Sequence, residues 1–308
     1  MINSICTHKG ESDVFGRVLT AMVTPFNERL ELDLSRLQAL IDHLIETGTT
    51  ALVVAGTTGE SPVLTHDEKL ALFDASVRLA RGRVPVIAGT GLNSTQASVE
   101  LTKEVDALGV QGFLFVAPYY NKPSQEGLYR HFEALAAATD KPTILYNIPA
   151  RTGVNIDPQT VIRLSTIQNI VGVKESSGDL TQVSRILEGT DDDFIVYSGD
   201  DKMTLPILAL GGHGVVSVAS HVVGARMARL VDAFFEGDLK QAREQHHALL
   251  PLFEELFRAP NPAPVKSALA MLGLSVGGVR LPLVDLTPAQ RTELRRQLSE
   301  VVLLPSFH

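Results

Sequence analysis

Eight short runs rich in apolar and β-branched residues recur along the chain, and a longer segment of helical period separates each from the next. They read VLTAMVT (18–24), ALVVAG (51–56), VPVIAG (84–89), GFLFVAP (112–118), PTILYN (142–147), NIVGVK (169–174), DFIVYS (193–198) and HGVVSVAS (213–220). Intervening stretches such as LDLSRLQALIDHLIETG and LTHDEKLALFDASVRLARG repeat apolar residues at three and four and end in Gly, where a helix stops. Strands joined by helical crossovers must run parallel. Eight is the number that closes such a sheet, and no Pro/Gly/Ser linker divides the run. The pattern therefore predicts an α/β fold, a (β/α)8 TIM barrel over residues 16–220. Beyond residue 220 strand patterns cease. Helices are expected near 221–235, 238–257, 264–272 and 287–301, a C-terminal helical appendage bent by the Pro-rich APNPAPVK. Residues 1–15 lack periodicity and read as a polar leader, a mobile tail or a small packing arm.

Charge and cysteine usage narrow the function. The balance of 27 basic to 35 acidic residues, with no long basic run, argues against a nucleic-acid partner. Cys6 is the single cysteine, so no intrachain disulfide or thiolate metal cage can form, as fits a reducing cytoplasm. The leader has no continuous apolar block and no stretch reaches the roughly 20 apolar residues that span a bilayer, so a soluble cytoplasmic protein is expected, with no membrane partner. GTGLNS carries Ser94 where a dinucleotide fingerprint needs its third Gly. His246 and His247, consecutive on a helix, are expected to point apart on a solvated face, and Asp200 and Asp201 to cap the following helix. Neither cofactor nor metal is expected.

In a barrel, reactive groups collect at the carboxyl ends of the strands. Lys174 closes the sixth apolar run, unlike the other eight lysines. An amine projecting into a barrel mouth loses hydration, which favours the neutral form that attacks a carbonyl carbon as a Schiff-base nucleophile. The competing reading is a solvent-facing lysine that merely ends a strand. Tyr146 ends the fifth run, so its hydroxyl is expected beside Lys174 as a proton relay, although a buried Tyr more often satisfies one hydrogen bond. Arg151 follows in a loop held by Pro149 and Gly153, and a fixed guanidinium there suits a substrate carboxylate. Thr57 and Thr58 in GTTGES offer hydroxyls and backbone N–H groups to an anion, a plain turn before a helix cap being the alternative.

Together GTTGES, APYYNKPSQEGLY, LYNIPARTG, GVKESSGD, SGDD and GGHGVVSV, ordered from about residue 16 to about 300, resemble the dihydrodipicolinate synthase family. The wider superfamily of N-acetylneuraminate lyase and keto-deoxy sugar-acid aldolases shares the barrel, the lysine and the tyrosine. The resemblance implies a 4-hydroxy-tetrahydrodipicolinate synthase reaction in diaminopimelate and lysine biosynthesis: Lys174 binds pyruvate as an imine, whose enamine attacks L-aspartate 4-semialdehyde. It implies a relay of Tyr146, Thr57 and Tyr120, with Tyr120 reaching a neighbouring subunit's site. Thr58 would hold the pyruvate carboxylate, Gly199 and Val216 would border the substrate, and Arg151 would receive the semialdehyde carboxylate. It also implies a homotetramer, a dimer of dimers, without cofactor. A sugar-acid aldolase or a non-catalytic pyruvate-binding module are the alternatives. Feedback-sensitive members hold lysine at positions matching Ser61, His66, Lys69, Asn93, Ala97 and Tyr119. With Lys69 and Ala97 in place of His and Glu, the acidic partner is expected to be missing and lysine inhibition weak or absent.

Overall fold

The computed structural model describes residues 14–304. Eight parallel strands close into one barrel in sequence order: β1 Val18–Ala21, β2 Ala51–Val54, β3 Val86–Gly89, β4 Gly112–Val116, β5 Thr143–Asn147, β6 Ile170–Glu175, β7 Ile195–Ser198 and β8 Gly214–Ser217, which pairs with β1. All eight anticipated runs form strands. Their crossovers contain α1 Leu34–Glu46, α2 His66–Ala80, α3 Thr95–Asp106, α4 Gln125–Ala136, a single turn α5 Pro149–Thr152 with α6 Pro158–Ser165, α7 Leu180–Gly189 and α8 Thr204–Ala209. Local chemistry sets where these begin. Asp33 accepts hydrogen bonds from the backbone of Ser35 and Arg36 at the start of α1, and Thr65 with Glu68 forms a capping box on α2.

Two apolar clusters follow from the pleat. Residues facing outward, such as Val54, Phe113, Phe115 and Val173, pack with Leu37, Leu40, Leu72 and Phe132 of the helices. Residues facing inward, among them Leu19, Val53, Ile87, Ile144, Tyr197 and Val216, fill the barrel itself. Truncating any of these buried side chains to Ala costs roughly 2–5 kcal/mol.

Four expectations shift. Phe15, assigned to the leader, belongs to the barrel: it is buried in the interior cluster against Gly112, and the Tyr197 hydroxyl donates to the Gly16 carbonyl at 2.8 Å. Residues 1–13 and Cys6 lie outside the described residues. Helix α9 Ser220–Phe235 packs on β1, α1 and α8 and so completes the outer ring. The appended part begins after it, with α10 Leu239–Glu255, α11 Ala263–Met271 and α12 Pro288–Ser299, rather than at residue 221. Lys174 is the penultimate residue of β6, Glu175 the last. Finally, the rings of His246 and His247 do not diverge. Their centroids are 5.8 Å apart, and His246 is half-buried near Phe253.

Candidate active site

The register across β5, β6 and β7 brings Tyr146, Lys174 and Tyr197 side by side. Tyr146 and Tyr197 belong to the interior cluster, so Lys174 faces inward with them while Glu175 faces the helices. Lys174 is 5% exposed, with its Nζ 4.1 Å from the centroid of the Tyr146 ring. No carboxylate pairs with it among the described residues. Behind it, Glu175 is held in a polar network: Asn147 Nδ2 and Gln182 Nε2 donate to Oε2 at 3.0 Å each, and Ser177 N donates to Oε1 at 2.6 Å. That network fixes the end of β6, and with it the height at which Lys174 enters the barrel.

A cavity of about 240 Å³ opens at the same end, lined among others by Thr57, Gly91, Tyr146, Ile148 and Arg151. Tyr146 thus forms the link between Lys174 and this space. Arg151 is exposed on α5 and its guanidinium pairs with no carboxylate among the described residues, so it presents a free cation at the cavity. The turn after β2 supplies the opposite wall. Its Thr57 and Thr58 N–H groups make no hydrogen bond within the described residues, which leaves two backbone donors for an anion. The alternative reading as a helix cap falls to Thr65 instead.

Thr58 is buried and its hydroxyl oxygen accepts from Asn261 Nδ2 at 2.9 Å. Glu60, at φ 56°, is tied down by a buried ion pair with Lys266 at 2.6 Å, side chains 1% and 2% exposed, and by the Arg280 N–H at 2.9 Å. Lys266 also donates to the Gly278 carbonyl and lies 4.2 Å from the centroid of the Phe26 ring, while Arg280 lies 4.3 Å from the same centroid and pairs with Glu68. Helix α11, through Lys266, and the segments on either side of it, through Asn261 and Arg280, therefore clamp the Thr57–Thr58 turn. Nothing in the sequence signalled Asn261, Lys266 or Arg280 as part of the site, since each partner lies more than two hundred residues away.

Of the other expected site residues, Val216 is buried in the barrel interior, and Gly199 lies beside Lys174, where a Cβ would come within 2.9 Å of Lys174 Cε. Tyr120 is not brought to the cavity: it is 88% exposed, at φ 77°. The six expected regulatory residues divide. Ser61 and Tyr119 line the main cavity; His66, Lys69 and Ala97 line a second concavity of about 230 Å³ between α2 and α3; Asn93 offers its carbonyl to Asn121 Nδ2. Ala97 brings no carboxylate to this concavity, but Glu100 and Glu104 line it from the same face of α3. Glu104 is engaged by His66 at 2.9 Å, and burial pushes the Lys69 amine below its usual range.

Asp201 also departs from expectation. Asp200 caps the short turn at Asp201–Met203, but Asp201 is buried and accepts from the Ser217 hydroxyl and from the N–H groups of Val218 and Ala219 at 3.1 and 2.9 Å. Burial, opposed by these bonds, raises its carboxyl to about 6.

Residues 14–301 match the dihydrodipicolinate synthetase family. The chain is similar to 4-hydroxy-tetrahydrodipicolinate synthase 1 of Halalkalibacterium halodurans, 55% identical over 95% of this chain and 98% of the relative, and to 4-hydroxy-tetrahydrodipicolinate synthase of Bacillus subtilis, 54% identical over 93% and 99%. Among solved structures it is similar to a dihydrodipicolinate synthase from Bacillus anthracis, with TM-score 0.92 and 51% identity over 94% and 99% of the two chains. It is equally similar in fold to the enzyme from Cyanidioschyzon merolae with lysine bound, with TM-score 0.92 and 47% identity over 94% and 98%.

Proposed function

The chain belongs to the dihydrodipicolinate synthetase family, and we propose that its reaction runs through an imine between Lys174 and pyruvate. Its activity is that of a 4-hydroxy-tetrahydrodipicolinate synthase, a lyase joining pyruvate to L-aspartate 4-semialdehyde on the way to diaminopimelate and lysine. The observation that carries the residue assignment is a buried lysine with no ionic partner among the described residues, packed against Tyr146, which lines a cavity together with Arg151, unpaired among the same residues. The amine adds to the keto carbon of pyruvate and water leaves, giving the imine. Loss of a methyl proton yields the enamine, whose terminal carbon bonds to the aldehyde carbon of the semialdehyde. The semialdehyde's amino group then adds to the imine carbon, closing the ring and expelling Lys174. The imine is the electron sink.

Tyr146 and Thr57 move protons in this scheme, and the Thr57–Thr58 turn with the Thr58 hydroxyl takes the pyruvate carboxylate. Because Asn261 already donates to the Thr58 oxygen, the Thr58 hydroxyl hydrogen is free for that contact. Gly199 and Val216 shape the space around the adduct. Arg151 takes the semialdehyde carboxylate, which favours this substrate over the polyhydroxylated tail of a sugar acid. Tyr120, outside its own cavity, completes the relay in a neighbouring subunit of a homotetramer in the cytoplasm. Borohydride reduction with pyruvate, followed by peptide mass mapping, tests the scheme. A reduced adduct on the Lys174 peptide is expected, and an unmodified peptide with retained synthase activity would overturn it.

A further inference from the structure

We propose that Ser176 contacts the substrate, its hydroxyl bonding an oxygen of the keto acid while that acid is attached to Lys174. The inference rests on the Lys174 reading above and adds a residue to it. Ser176 Oγ is buried and has no hydrogen-bond partner among the described residues. Neighbouring hydroxyls differ: Ser177 Oγ accepts from Asp179 N at 3.1 Å, Ser198 Oγ donates to the Asp200 carbonyl at 2.7 Å, and Ser217 Oγ donates to Asp201. A buried hydroxyl with nothing to bond is costly, and native structures keep few of them.

Its location identifies the missing partner. Lys174 points into the barrel and Glu175 out, and Ser176, the first residue after β6, continues the alternation one layer nearer the mouth, its N–H still bonded to β5 and its Oγ against Gly199. Gly199, next across the sheet on the same inward side, shows how tight this corner is. A Cβ there would collide with Ser176 Oγ and stand 2.9 Å from Lys174 Cε. Hydroxyl and amine-bearing carbon thus flank the same point, and Ser176 N is held by the Asn147 carbonyl at 2.9 Å, which fixes the direction of the side chain. What attaches to Nζ enters the reach of this hydroxyl. Pyruvate brings a carboxylate and a carbonyl oxygen, both able to accept from it.

The test measures the pyruvate concentration that half-saturates borohydride trapping of Lys174 in the full chain, together with thermal stability. Ser176→Ala should raise that concentration about tenfold, the worth of one hydrogen bond to a charged oxygen. It should not lower the melting temperature, because no protein partner is lost. Ser176→Thr should return the trapping curve toward wild type. If Ser176→Ala traps at the wild-type pyruvate concentration, or lowers the melting temperature without moving the trapping curve, the hydroxyl is not a substrate contact. If wild type itself is not trapped at Lys174, the Schiff-base reading fails first and this inference with it.

Discussion

Replacing Lys266 by Met should destabilise the protein by about 3–5 kcal/mol, because it removes one partner of a buried ion pair and leaves the other behind. Lys266 Nζ lies 2.6 Å from Glu60 Oε1 and 2.8 Å from the Gly278 carbonyl, with both charged side chains almost fully enclosed. After the substitution the Glu60 carboxylate keeps, among the described residues, the Arg280 N–H at 2.9 Å alone. Burial pushes the Lys266 amine below its usual range and the Glu60 charge works against that shift, so the two ions are mutually dependent. Pairing Lys266→Met with Glu60→Gln removes both charges while an amide oxygen can still accept from Arg280. The double variant should therefore recover most of the loss. Differential scanning of the four proteins gives the coupling; at about 2 °C or slightly less per kcal/mol for a chain of this size, Lys266→Met should melt roughly 5–10 °C lower. Since Glu60 follows Thr57 and Thr58 in one clamped turn, half-saturation by pyruvate should also rise in the single variant and return in the double. A single variant that melts within about 2 °C of wild type, or a double variant that loses the sum of both singles, would refute the clamp.

Arg151→Met should raise the KM for L-aspartate 4-semialdehyde by about ten- to a hundredfold, the worth of a charge-assisted contact, while trapping of Lys174 by pyruvate stays unchanged; an equal loss in both would place the guanidinium elsewhere. Lysine titrated into the synthase assay should inhibit weakly, since Lys69 sets an amine of like kind in the wall of the concavity and Ala97 supplies no acidic partner there; inhibition at micromolar lysine would reverse this. Stability should fall as pH drops from about 6.5 to about 4, because burial holds His131 and His221 down to about 4 and the unfolded chain takes up those protons first. His221 is locked neutral, its Nδ1 donating to the Val218 carbonyl and its Nε2 accepting from Val23 N. Each buried imidazole is worth on the order of 3 kcal/mol over that window, and Asp201, raised to about 6, offsets part of it by protonating in the folded state. Asp201→Asn should accordingly steepen the acid loss in pH-dependent denaturation curves, and parallel curves for the two proteins would contradict the assignment.

The barrel was legible because strand and helix periods are local properties, and the places of the proposed site residues were legible because a closed parallel sheet gathers side chains into its mouth at strand ends. Lys174, Tyr146 and Arg151 each sit within a few residues of such an end. The sequence was a poorer guide wherever a residue acts through a distant partner. Asn261 and Lys266 stand in a segment whose prolines announce a bend, but the bend exists to bring an amide to Thr58 and an ammonium to Glu60, and no window along the chain contains both halves of either pair. Neighbouring carboxylates on one helix were likewise passed over. Ala97 removes the acidic partner that the resemblance places there, yet Glu100 and Glu104, three and seven positions further along α3, share its face, a helical spacing that could have been read from the start.

On the proposed mechanism, the part of the chain after α9 belongs to the site as much as the barrel does. In the proposed reaction the barrel supplies the nucleophile, Lys174, while the turn after β2, proposed to take the carboxylate, carries Glu60 in a left-handed conformation that non-glycine residues seldom adopt. Lys266, Asn261 and the Arg280 backbone supply that constraint from outside the barrel. A barrel ending after α9 would keep Lys174 and Tyr146 in register yet leave the turn unanchored. It follows that removing residues after Phe235 should impair pyruvate capture at the turn more than it impairs the position of the lysine.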